Sequence, residues 1–239
     1  MKRVVPKALW LAAVAAGVAA CATGPTLKKS DQDAVSRRYS GKRMFLRSSM
    51  HYGQFFGDRK SYLIASRRFS ELRLIEGLDG LPIPPGKEDG TIPAGREAEI
   101  ERIEFPPAER PLLTPRFYPW VYLKVDKTFT DRPHILVLQP NVETAAEFEQ
   151  LLGLYLVERD PRPAIEARGA EIRKAIDAKN VVEGMNEDAL VASMGAPDEI
   201  RRGADGGAGG GRADLWVYAK RCVKVKDGAV VGYSEDGCR

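Results

Sequence analysis

The apolar and polar positions divide the chain into stretches of different period. From Tyr39 to about Gln139 the apolar residues fall in short runs bounded by turn residues, the pattern of strands. Trp120-Val121-Tyr122-Leu123-Lys124-Val125 reads as one strand, and His134-Ile135-Leu136-Val137-Leu138 as another that is covered on both faces. Phe69 to Ile75 alternates imperfectly. Ala98 and Ile100 share one parity and Ile103 and Phe105 the other, so a bulge near Glu101 and Arg102 is needed to give them a common face. Pro106-Pro107 ends that strand. Gly77, Gly80, Pro82, Pro84, Pro85, Gly86 and Gly90 mark a loop between them.

From Val142 the period becomes helical, with Phe148, Leu151, Leu152, Tyr155 and Leu156 spaced for one face, until Asp160-Pro161-Arg162-Pro163 breaks the chain. A second helix carries Ile165, Ile172 and Ile176 on one face. Asn186 caps a further short helix with Leu190 and Met194 four apart on its buried side, Gly195 suits the left-handed residue that closes it, and Pro197 prevents its resumption. A strand at Asp214 to Lys220 and a hairpin turning at Asp227-Gly228 follow. The order of this last part is helix, helix, strand, strand, strand. The chain is therefore α+β: a small β-rich, barrel-like domain closing on itself over 39–140, a connecting helix in 141–162, and an α/β module in 163–239.

The amino terminus has its own logic. Lys2, Arg3 and Lys7 precede an apolar run from Ala8 to Ala16 and then small residues, the layout of a secretory signal over 1–20. The run is too short for a permanent span. Val18-Ala19-Ala20-Cys21 resembles the lipobox of bacterial lipoproteins, which implies diacylation of the Cys21 thiol and a membrane partner reached through that lipid. Ala22, rather than aspartate, after the cysteine implies, by the same resemblance, the outer membrane facing the periplasm. Residues 21–38 read as a polar, aperiodic, flexible tether. With 37 Lys and Arg against 33 Asp and Glu, and three of the basic residues inside the signal, the remainder is close to neutral, which argues against a nucleic-acid partner.

In an exported compartment Cys222 and Cys238 are candidates for a disulfide. Counting from the Asp227-Gly228 turn places Cys222 opposite Tyr233, so a bridge requires the tail to curl back through Ser234-Glu235-Asp236-Gly237. A bridge and two free thiols both stay open.

Gly184-Met185-Asn186, Met194-Gly195-Ala196-Pro197, Leu215-Trp216-Val217-Tyr218 and Asp227-Gly228 with Val230 resemble the SmpA/OmlA (BamE-like) family of outer-membrane lipoproteins. The resemblance implies a two-helix, three-strand module and a place among envelope protein partners. It covers the C-terminal module alone. Gly90-Thr91-Ile92-Pro93-Ala94-Gly95 is similar to the entry of small β-barrel modules of envelope proteins.

No motif for catalysis stands out. Gly206 to Gly211 lacks the Gly-Lys-Ser/Thr of a phosphate loop. His51 and His134 are far apart, without cysteine or carboxylate at ligand spacing, so neither a metal nor another cofactor is expected. The basic stretch Arg37 to Arg43, with Arg47 and Arg67-Arg68, reads as a solvated face or a site for anionic headgroups. The aromatic cluster from Phe117 to Tyr122 offers Tyr118 and Trp120, together with Trp216, as a candidate interaction surface. The function read from the sequence is a non-enzymatic, lipid-anchored scaffold or adaptor, in outer-membrane protein assembly or envelope maintenance. The alternative is a periplasmic hydrolase directed at the cell wall, or its inhibitor, built around His51 and His134.

Overall fold

The computed structural model describes residues 27–72, 75–79, 81–106, 118–128, 130–139, 142–205, 212–235 and 237–238. The signal, Cys21, Phe117 and the Gly206 to Gly211 run lie outside the described residues. The chain opens with helix α1 (Lys29–Tyr39). Strands β1 (Arg43–Leu46), β2 (Met50–Phe55) and β3 (Tyr62–Ala65) follow, then a 3-10 turn (Phe69–Glu71) and the short pair β4 (Ile75–Glu76) and β5 (Pro82–Ile83). β6 (Pro85–Ile92), β7 (Glu97–Glu104), β8 (Trp120–Val125) and β9 (His134–Val137) continue the main sheet. After them come α2 (Ala145–Gly153), β10 (Leu156–Val157), α3 (Arg162–Glu166), α4 (Ala170–Asp177) and α5 (Glu187–Met194). The chain ends in β11 (Glu199–Asp205), β12 (Arg212–Tyr218), β13 (Arg221–Lys226) and β14 (Ala229–Ser234).

The main sheet has the order β10-β1-β7-β8-β9-β3-β2-β6. All its pairs are antiparallel except β3 with β9. β1 and β2 lie five strand spacings apart, about 24 Å in a flat sheet. Yet only Arg47, Ser48 and Ser49 join them, a span of at most about 14 Å. The sheet must therefore curl. One register runs through the curl: Arg43 to Phe45 lie opposite Glu99 to Glu97, and Met50 to Tyr52 opposite Ile92 to Gly90. Hydrogen bonds from the Leu46 N–H to Arg96 O (2.9 Å) and from the Gly95 N–H to Leu46 O (2.8 Å) bridge the two stretches. The closure expected from sequence is not what the strand order gives: the sheet is open, with β10 and β6 at its edges.

One face of the curl buries Met50, Ile64, Val121, Leu123 and Leu136, capped by Leu27, by Val35 of α1 and by Phe148 and Leu152 of α2. The other buries Phe55, Leu63, Phe69, Trp120, Tyr122 and Ile135. The bulge expected near Glu101 is present as a register shift between Ile100 and Arg102, which leaves both Ile100 and Ile103 buried.

Several expectations need correction. Residues 27–38 are not tether: Leu27 is 1% exposed and α1 buries Val35 and Tyr39, one helical turn apart. The glycine-rich stretch supplies strand β6, because glycine is what lets two backbones approach: a Cβ on Gly53 would lie 2.1 Å from Lys87 O, and one on Gly86 2.5 Å from Gln54 O. Phe69 to Ile75 begins as the 3-10 turn. Residues 141–162 hold more than a connecting helix, since β10 pairs with β1 and extends the main sheet. The helix expected to carry Ile165, Ile172 and Ile176 is two helices, α3 and α4, interrupted before Gly169. The C-terminal sheet has four strands in the order β11-β12-β13-β14, one more than expected, because the polar run Glu199 to Asp205 pairs with β12.

Candidate functional site

The C-terminal lobe packs α4 and α5 against its sheet around Ile176, Met185, Leu190, Met194, Trp216 and Val223, and Ala94 from the β6–β7 link belongs to the same core. α5 forms as its caps require. The Asn186 side chain accepts from the Ala189 N–H, and Gly195 sits at φ +88, where a β-carbon would be strained.

Ser49, in the bend between β1 and β2, fastens the lobes. Its N–H donates to Ala192 O (2.8 Å), its hydroxyl donates to Ile176 O (2.6 Å) and accepts from the Ala94 N–H (3.0 Å), and its carbonyl accepts from Lys179 Nζ (2.7 Å). Lys179 is fully buried, with further bonds to Ser193 O (3.0 Å) and Met194 O (3.2 Å), carbonyls at the negative end of α5. Burial, then the neighbouring Arg221, push its pKa down to about 7. Three acceptors matching the three ammonium protons hold the proton against that pull.

Beside this joint lies a cleft of about 690 Å³. β3 and β9, the parallel pair, run out into it through Ser66-Arg67 and Leu138-Gln139, so it lies beyond the carboxyl ends of parallel strands, where chain reversals leave a crevice. Apolar side chains line it at Ala65, Leu72, Ile75, Tyr118 and Val137. Across from them are the end of α5, from Met194 to Asp198, and the Tyr218 to Arg221 turn. Two ion pairs connect the lobes here. Arg67 pairs with Asp198, whose carboxylate also accepts from the Ala219 N–H (2.7 Å), and Arg221 Nη2 lies 3.3 Å from Glu71 Oε2. The Tyr218 hydroxyl donates to Gly195 O (3.3 Å), and burial, then the Asp198 carboxylate, raise its pKa. The described residues lining the cleft include neither histidine nor cysteine.

Of the residues singled out from sequence, Tyr118, Arg67, Tyr218 and the Met194-Gly195-Ala196-Pro197 motif line the cleft, and the tryptophans and histidines lie elsewhere. Trp120 is 4% exposed, packed edge-on against Phe55 with centroids 5.1 Å apart, and Trp216 is 6% exposed in the C-terminal core. These tryptophans fill cores and form no surface; of the three candidate surface aromatics, half-buried Tyr118 alone reaches the cleft. His51 and His134 point to opposite faces of the sheet. His134 pairs with Tyr62, which shares a face with Ile64 and Tyr52, whereas His51 pairs with Ala65 on the other side. His134 lies against the rings of Tyr62 (6.0 Å) and Tyr52 (6.4 Å), and burial lowers its pKa to about 4. His51 Nδ1 is 3.0 Å from Glu88 Oε1, and burial with the Lys179 charge also takes it to about 4.

The basic stretch is a solvated face, with Arg37, Arg38 and Arg43 exposed, and most of its charges are paired along that surface. Arg38 pairs with Glu149, Lys42 with Glu158, and Arg43 with Glu97 (3.5 Å) and Glu99 (3.8 Å), while Arg47 donates to Gly153 O (2.9 Å). A disulfide joins Cys222 to Cys238, with Cα atoms 5.3 Å apart. Cys222 stands opposite Ser234 rather than Tyr233, because a register shift at Lys224/Val225 inserts one residue into β14.

Sequence reasoning named Arg67 only as part of a basic surface and missed Glu71, Lys179, Asp198 and Arg221. Their partners lie far along the chain, 131 residues away for Arg67 with Asp198 and 150 for Arg221 with Glu71, and no local pattern encodes such pairs. No family model matches this sequence, and neither a curated protein nor a solved structure matches it.

Proposed function

We propose that this chain is a lipid-anchored protein of the bacterial envelope, held by acylated Cys21 at the outer membrane facing the periplasm, acting as a non-enzymatic scaffold or adaptor in outer-membrane protein assembly or envelope maintenance. The observation that carries the reading is the run Val18-Ala19-Ala20-Cys21 behind a short apolar stretch, and the position of Leu27 adds what such an anchor would do. Leu27 is buried in the main core, and the six residue steps from Cys21 span at most about 20 Å, so an acylated Cys21 holds the folded part against the bilayer. Short tethering suits a body that presents surfaces at a fixed height, and the Ser49 and Lys179 bonds make the two lobes one body. We read the curled sheet as barrel-like and the C-terminal lobe as a BamE-like module with an added edge strand, on the strength of the shared register of β1–β2 with β6–β7 and the Asn186, Gly195 and Pro197 capping pattern. The hydrolase reading gains nothing from histidines that face opposite sides of one sheet.

The test has two parts. Metabolic labelling with palmitate marks the wild-type protein and leaves Cys21→Ser unmarked. In-cell crosslinking with mass spectrometry recovers outer-membrane assembly components with the wild type and loses them with Cys21→Ser. An unlabelled product that retains residues 1–20 overturns the reading, and recovery of cell-wall fragments alone turns it toward the hydrolase.

A further inference from the structure

Among the described residues that line the cleft between the lobes, two arginines and two carboxylates carry the charge, and one of the arginines is weakly engaged. Arg67 and Arg221 line the cleft against the carboxylates of Glu71 and Asp198. Arg221 holds the under-used charge: its side chain is 13% exposed, its Nη2 makes one 3.3 Å contact to Glu71, its Nη1 lies 4.0 Å from Met194 Sδ, and its buried Nε has no hydrogen-bond partner among the described residues. A guanidinium has five N–H donors, and with a single 3.3 Å carboxylate contact at Nη2 the Nη groups of Arg221 keep donors to spare for an acceptor in the cleft.

The rest of the cleft selects what accompanies that acceptor. Leu72, Ile75 and Val137 offer side chains, and the strands beneath offer no free backbone edge, since β3 is flanked by β2 and β9, and β9 by β3 and β8. An extended peptide would bury amide groups there without strand partners. A hydrocarbon chain has none to satisfy, and the volume falls within the roughly 300–1,000 Å³ range of small-molecule sites.

We propose that this cleft binds a singly charged anionic amphiphile, an aliphatic carboxylate, with Arg221 and Arg67 meeting the carboxylate and Leu72, Ile75 and Tyr118 meeting the chain. Its occupancy does not depend on lipid at Cys21.

The experiment is a titration of the detergent-solubilised full chain with decanoate labelled with ¹³C at the carboxyl, read by NMR against detergent alone. The expected result is a bound carboxyl resonance that saturates at one equivalent. Arg221→Gln weakens binding about tenfold or more, the scale of one charged hydrogen bond. Arg67→Gln weakens it severalfold, and Ala65→Leu, which fills the floor, does likewise; these two carry the test should Arg221→Gln fail to fold. Decanol displaces the label far less well than unlabelled decanoate. No saturable resonance, affinity unchanged in all folded variants, or displacement by decanol as effective as by decanoate overturns the proposal. So does displacement by an amidated apolar peptide at lower concentration than decanoate, which assigns the cleft to a protein partner.

Discussion

Lys179 Nζ donates to the Ser49 carbonyl across 2.7 Å, and through that bond the last helical turn of the C-terminal lobe and the bend of the main sheet share one buried cation. Lys179→Met leaves three carbonyls, those of Ser49, Ser193 and Met194, without their donor. The expected loss is about 3 kcal/mol, the scale of buried acceptors stripped of a partner. Urea unfolding measures it; a midpoint shift worth under about 0.5 kcal/mol means that the bonds do not fasten the lobes.

Acid sensitivity follows from the two buried histidines. Each has a folded pKa near 4 against an ordinary value of 6.5, so each favours the folded state when neutral. Their stabilisation is fully present above pH 6.5 and is lost as the pH falls toward 4, because the unfolded chain takes up the protons first. The loss is on the order of 3 kcal/mol per histidine. Unfolding curves at pH 7 and pH 4.5 should differ accordingly, with His134→Phe reducing the difference by about half. A wild-type stability that is flat over this interval contradicts the burial of these rings.

The disulfide joins residues separated by 16 positions, a loop whose closure stabilises by about 3 kcal/mol. In Cys21→Ser protein, thiol titration should find none before reduction and two after, and reduction should lower the urea midpoint by that amount. Two reactive thiols in untreated protein refute the bridge.

Two glycines should respond in opposite ways to alanine. Gly53→Ala places a Cβ against Lys87 O, with Glu88 Cα 2.8 Å and the Phe69 ring 2.9 Å away, so β2 and β6 must separate. It should cost at least about 2 kcal/mol or prevent folding. Gly153→Ala, with nothing within 4 Å, should be neutral or stabilising by up to about 1 kcal/mol, the helix preference of alanine over glycine. Equal effects in thermal melts would mean that β2 and β6 do not approach as described.

What the sequence disclosed and what it withheld divide along a physical line. The parity change between Ile100 and Ile103 disclosed the bulge, and Asn186, Gly195 and Pro197 disclosed α5, because each signal is carried by the backbone it shapes. Strand β6 stayed hidden because its glycines serve the neighbouring strand; seen locally, Gly86 and Gly90 look like turn residues. Strand β11 stayed hidden because Arg201 and Arg202 carry no apolar rhythm, and α1 because Leu27, Val35 and Tyr39 are too few to establish a period. The tryptophans misled because bulky aromatics serve cores as readily as surfaces. The cleft was illegible, since its ion pairs and its floor come together only after distant segments have packed.

The parallel pairing of Tyr62 with His134 sets an order of events for a chain that is synthesised amino end first. Until residue 134 emerges, β3 has β2 on one side and a bare rim of amide groups on the other, and that rim is an invitation to neighbouring molecules. Folding of such a long-range arrangement is slow. A nascent copy should therefore need a holding chaperone during the interval, and variants that delay the arrival of β9 should be lost to aggregation before any mature copy weakens.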